Sequence, residues 1–274
     1  MRDPLATEAL AQTLPAGVVF CETMKPTLLA RNCGTELQTS LAGMAARKWL
    51  LLSSQAVYVG LFAILGFGVL TQISSAVLGT SVLPYLVGGA SLLLLFLATV
   101  TYAVLARGQL ATRLYGVLER IPIESFQVGL LRSRDKFAQT DGELQRFFAG
   151  AFTSPLPLLA FLGGWLVEAA ETALILALLG VHLPFGTVGA MEVSASFLRN
   201  VMFMVPAGLG VQDLGYLTFL RALAVPDALN VAAAFLLLKR AKEAFWAAVG
   251  YAVLALDLRA DTPIRQPVPV DLPC

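Results

Sequence analysis

Apolar residues run almost unbroken over 49–72, WLLLSSQAVYVGLFAILGFGVLTQ, and over 83–106, LPYLVGGASLLLLFLATVTYAVLA. Each run reaches the roughly 20 residues a membrane-crossing helix needs, so each predicts one span. Residues 155–181 predict a third span, with Glu168 and Glu171 near its middle. A further apolar segment covers 188–204 and contains Glu192 and Arg199. The last hydrophobic region, 228–258, is interrupted by KRAKE at 239–243. The apolar stretches on either side of KRAKE are each too short to cross a bilayer. Either the charges lie at membrane depth in a protein-lined site, or 229–238 is a half-helix dipping in.

The stretch 107–154 differs. It carries seven Arg/Lys and five Asp/Glu, with Leu144, Phe147 and Phe148 at helical spacing. It predicts amphipathic helices on the membrane surface, and its basic residues place it on the cytoplasmic side. The tail 259–274, rich in proline, is expected to be disordered.

Composition agrees with the pattern. The 274 residues are 57% hydrophobic and 14% charged, with mean hydropathy +0.76. Soluble domains are about one quarter charged, so an all-α, polytopic membrane protein is expected. The net charge of +1 suggests no nucleic-acid partner. Three cysteines without a C-x-x-C pair and one histidine, His182, argue against a zinc centre, and neither metal nor cofactor is expected. His182, in the uncharged turn GVHLPFG, reads as a packed or interfacial histidine. The N-terminus lacks the apolar core of a signal peptide, so insertion is expected to rely on internal spans.

One loop stands out. MVPAGLGVQDLGY, 204–216, places a proline, glycines and Asp213 between apolar segments. A dinucleotide-binding fingerprint fails there, because Asp213 occupies the position of the third glycine and no strand precedes it. Shifted by 191, residues 14–29 align with 205–220, with five identities in 16 pairs; composition alone gives about one. Glu22 falls on Asp213 and Lys48 on Lys239. Two related broken-helix or re-entrant segments are therefore expected, in an N-terminal repeat of about 1–72 and a C-terminal repeat of about 155–258 within one domain, 1–258. The N-terminal copy lacks the two apolar segments that precede its counterpart, as in a truncated or shortened family member.

Irregular backbone at membrane depth is tolerated only inside protein or beside a wet cavity, and paired segments of this kind point to a transporter-type site. A helix starting after the loop would aim its positive end at an anionic group such as a lipid phosphate. Asp213 suits either a helix cap or a role in binding and gating. Ionisable residues within spans are costly and face the bundle interior. Candidate lipid-binding residues are thus Glu22, Lys48, Glu168, Glu171, Glu192, Arg199, Pro206, Gly208, Gly210, Asp213, Lys239, Arg240, Lys242 and Glu243. Lys239 and Glu243, four apart, are placed to pair, and Lys239, Arg240 and Lys242 either form a phosphate site or snorkel to headgroups.

MVPAGLGVQDLGY followed by LLKRAKEAFWAAVGY resembles the lysylphosphatidylglycerol synthase transmembrane-region family, also described as flippase-like. That family carries P-G-G-L-G-V-x-E and then K/R-R-x-R/K-E. The matching positions are Pro206, Gly208, Gly210, Asp213, Lys239, Arg240, Lys242 and Glu243; Ala207 and Asp213 depart mildly from the usual glycine and glutamate. RDKFAQTDGELQRFF and ARKWLLLSSQAVYV look most like a subset linked to hopanoid biosynthesis. The resemblance implies a bacterial inner-membrane protein that translocates or handles lipids, anionic or isoprenoid-derived, alongside lipid-biosynthesis enzymes. Lysyl transfer is not expected, because in the namesake enzymes a separate soluble domain performs it. The alternatives are a membrane-embedded lipid-modifying transferase, with Asp213 or Glu171 as general base, and a non-catalytic subunit of a biosynthetic complex.

Overall fold

The structure is a computed structural model that describes residues 26, 30, 34, 36–119, 134–150, 154–201 and 210–259. Among these residues there is no strand. Nine helices are described: α1 (Leu37–Leu65), α2 (Phe67–Leu78), α3 (Leu83–Ala106), α4 (Leu110–Leu118), α5 (Arg134–Ala149), α6 (Leu156–Leu178), α7 (Phe185–Val201), α8 (Val211–Ala222) and α9 (Ala228–Arg259). Three of them, α1, α3 and α6, are long and apolar enough to cross a membrane. The protein is thus an all-α membrane protein, as its hydrophobic pattern predicts.

The chain divides into two compact units, 26–238 and a second formed by 1–25 with 239–274. In the first unit, α1 is the central element, in contact with α3, α5, α6, α7 and α2, while α8 packs on α7. The main core gathers Phe62, Leu70, Met191, Leu220 and Phe235, all at most 1% exposed.

The predicted span 49–72 is divided at Gly66 into α1 and α2. Packing is close at this point. A side chain at Gly66 would collide with Ala190 of α7 and with the Phe62 and Gly186 carbonyls. One turn further along α7, a Cβ on Gly189 would overlap the Phe62 ring. The helices meet at these glycines, as small residues allow in membrane bundles. Upstream, α1 begins before the apolar run, because its first turns have a different partner.

That partner is the charged segment. Ala42 and Trp49 of α1, Leu105 of α3, and Leu144 and Phe148 of α5 form a second, smaller core. The rings of Trp49, Tyr102 and Phe148 pack mutually at 5.6–5.8 Å between centroids. Trp49 Nε1 donates to the Ala98 carbonyl at 2.9 Å. The helical spacing predicted within 107–154 is therefore present in α4 and α5.

Helix α4 has no cap of its own. The buried carboxylate of Asp141 on α5 accepts instead from the amides of Ala111 and Thr112, both at 2.8 Å, and from Thr112 Oγ1 at 2.6 Å. A carboxylate at a helix N-terminus satisfies orphan donors and complements the dipole. Asp141→Ala is expected to destabilise the protein by roughly 1–3 kcal/mol, since it leaves those donors unpaired. Asp141→Asn, which keeps one acceptor, should lose less; thermal unfolding of the two variants checks the order.

Candidate functional site

The first unit places a carboxylate, Glu192 of α7, in its interior at 2% exposed. Burial of such a group requires hydrogen-bonding partners. Thr172 of α6, itself fully buried, donates from Oγ1 to Glu192 Oε1 at 2.5 Å. Tyr216 of α8 lies with its hydroxyl 3.0 Å from both carboxylate oxygens. One turn before it, Gln212 donates from Nε2 to Tyr216 Oη at 3.2 Å. With its oxygen accepting from Gln212, the tyrosine directs its own proton to Glu192. Three helices are thereby tied at one acidic group.

Helix α1 adds an aromatic wall. Tyr58 is buried, at 4% exposed. Its ring stacks on Trp165 of α6, with centroids 5.9 Å apart. Trp165 Nε1 donates to Ser54 Oγ at 3.1 Å, and Ser54 passes a hydrogen bond to the Leu51 carbonyl. Polar groups of α6, α7 and α8 thus meet at one buried carboxylate, and α1 packs on the same α6 through Trp165. A carboxylate oriented by two hydroxyls there can hold a group that donates hydrogen bonds or carries positive charge.

Other candidates fall in distinct places. Glu168 and Glu171 share α6 and are partly buried. Asp213 sits in the first turn of α8 and accepts from the Gly210 amide at 3.1 Å, which closes the carboxylate half of a capping box. Gly210 itself has φ +82, a conformation glycine adopts without strain. Lys48 lies exposed on α1. Arg199 belongs to α7, with its side chain outside the described residues, as are Glu22, Pro206 and Gly208. The comparison of 14–29 with 205–220 as facing re-entrant segments falls outside them as well.

Lys239, Arg240, Lys242 and Glu243 belong to the second unit. Helix α9 runs continuously through KRAKE, with no break that would end a half-helix at 238. Lys239 is buried, and Arg240 forms an ion pair with Glu243 at 2.7 Å. That pair is three residues apart, a helical neighbour like the four-residue spacing expected for Lys239 and Glu243.

Sequence reasoning singled out Glu192 but missed Thr172, Gln212, Tyr216 and Tyr58. A signal was available for three of them. Thr172 stands four residues after Glu168, on the same helix face, and Gln212 and Tyr216 share a face four apart around the quoted loop.

Comparison with curated proteins and with solved structures returns no match. A family model described as the lysylphosphatidylglycerol synthase TM region matches residues 5–241, most of the chain. The three membrane-length helices and the buried carboxylate of the bundle stand within the segment that the family model covers, which ends inside KRAKE, and the chain belongs to the lysylphosphatidylglycerol synthase TM region family.

Proposed function

We propose that this protein translocates or otherwise handles membrane lipids, in a bacterial inner membrane with 107–154 on the cytoplasmic side. Family membership supports a lipid-related membrane role. The observation that carries the finer reading is the buried Glu192 centre. Ionisable groups inside membrane bundles are expensive, and they are kept where a substrate or ion is handled. A purely structural bundle gains little from such a group, because replacing a buried ionic arrangement with apolar side chains is often neutral or stabilising.

The lipid is anionic or isoprenoid-derived in this reading, with hopanoid-type lipids among the second class. The cationic residues Lys239, Arg240 and Lys242 suit a phosphate or another acidic headgroup. Lys239→Ala and Arg240→Ala are expected to abolish exposure of the lipid to an outer-leaflet probe, in cells where immunoblots show normal insertion. Normal exposure in both variants overturns the proposal. Mass spectrometry of lipids from the same cells separates transport from modification: a precursor that accumulates unaltered indicates transport, and a missing product of new mass indicates a transferase.

A further inference from the structure

A cavity of about 450 Å³ opens within the first unit, and Glu192 is not among its lining residues. Its walls come from α2, the start of α3, α7 and α8, with Ile73, Leu83, Ala195 and Phe219 among its lining. Its volume falls in the range of small-molecule sites, about 300–1,000 Å³. Polar atoms in the lining are largely committed elsewhere. Ser74 Oγ donates to the Thr80 carbonyl and accepts from the Leu83 amide. Ser194 Oγ donates to the Ala190 carbonyl. A void with so few available polar partners does not suit water or a hydrophilic ligand.

The rim indicates what enters. Val77, Leu78, Leu86 and Leu214 line the cavity and are 46–64% exposed. One of the three membrane-length helices, α3, contributes Leu83 and Leu86 to the lining, and an apolar opening of this kind suits hydrocarbon. A bilayer supplies one abundant slender apolar object at that position, the chain of a lipid. The polar centre is also close in sequence and on the same helices. Ser194 and Ala195 follow Glu192 by two and three residues on α7, and Leu214 and Gly215 directly precede Tyr216 on α8. The Tyr216–Glu192 hydrogen bonds therefore join the two helices that form one side of the cavity.

We infer that this cavity is a binding site for one hydrocarbon chain of a membrane lipid, entered sideways from the bilayer, with the Glu192–Tyr216 bridge holding its α7–α8 wall. The inference deepens the lipid-handling reading by assigning where the apolar part of the substrate sits. Two sources share this chemistry, a fatty acyl chain and an isoprenoid chain.

The test uses the full chain in nanodiscs. One arm contains phosphatidylglycerol with a diazirine near the end of an acyl chain. The other contains an isoprenyl phosphate with a diazirine on its terminal unit. After irradiation, adducts are mapped by peptide mass spectrometry. Adducts are expected to concentrate on 73–86 and 214–219, and the arm with the greater yield identifies the chain type. Ala195→Phe and Thr218→Phe, which add bulk to the lining from two different helices, should each cut those adducts severalfold. Labelling of Leu92 and Phe96, exposed on α3, should stay unchanged in both variants and so reports that the fold is intact. Even labelling of all lipid-facing helices, or undiminished adducts in a variant that keeps its α3 labelling, overturns the inference. The readout is occupancy, not transport. Absence of cavity adducts in the wild-type chain together with Lys239-dependent lipid exposure rejects the cavity alone, whereas cavity labelling with normal exposure in Lys239→Ala and Arg240→Ala rejects the transport reading alone.

Discussion

Glu192→Ala is expected to lower both stability and lipid handling. It removes the acceptor shared by Thr172 and Tyr216, whose hydroxyls lie in a fully enclosed part of the bundle. Leaving a buried hydrogen-bonding group unsatisfied costs about 1–3 kcal/mol. Glu192→Gln separates the two contributions. It keeps the shape and one carbonyl acceptor, so its unfolding temperature in detergent should lie between those of wild type and the alanine variant. It replaces the other oxygen with a donor and removes the charge, so lipid exposure should fall nearly as far as in Glu192→Ala. If Glu192→Gln supports normal lipid exposure, the carboxylate serves only to join α6, α7 and α8. A Tyr216→Phe variant adds a second check. It retains the ring packed on Phe235, with centroids 5.0 Å apart, and deletes only the hydroxyl.

The second large effect concerns packing. Gly189→Ala places a methyl where the Phe62 ring lies, and that ring has no space to retreat. Phe62 is fully buried, with Tyr58 and Phe185 edge-on against it at 5.0 and 5.6 Å. Overpacking of this kind costs roughly 1–3 kcal/mol and occasionally more. The expected result is a large drop in unfolding temperature or in the yield of folded protein. Phe62→Leu should destabilise the wild-type background through lost packing, yet partly restore Gly189→Ala by vacating the overlap. Non-additivity of the pair in a double-mutant cycle is the measurement. Additive losses would show that Gly189 and Phe62 do not share the strain.

Parts of the architecture were legible because the bilayer imposes a length on apolar runs. The predicted 83–106 coincides with α3, and 155–181 differs from α6 by a few end residues. The run 49–72 was not legible as two helices, since its residues remain apolar across Gly66. At Gly66 the chain also meets α7, more than 100 residues away in sequence, and hydropathy does not record that approach. Nor did the uninterrupted α9 follow from hydropathy, which only marked KRAKE as charged; backbone hydrogen bonding continues through charged side chains as readily as through apolar ones.

The candidate site divides along the same line. By itself the sequence determined that this is a helical membrane protein, which family motifs it carries, and that carboxylates stand inside its apolar segments. Those properties follow from residue type and order, because the bilayer penalises charge and rewards apolar length whatever the fold. Only the tertiary structure decided which carboxylate is enclosed and what satisfies it. Glu192 finds Thr172 twenty residues earlier and Tyr216 twenty-four residues later, on separate helices, whereas Asp213 turns back to cap its own. Hydrogen bonds require donor and acceptor within about 3 Å, a condition set by helix packing rather than by spacing along the chain.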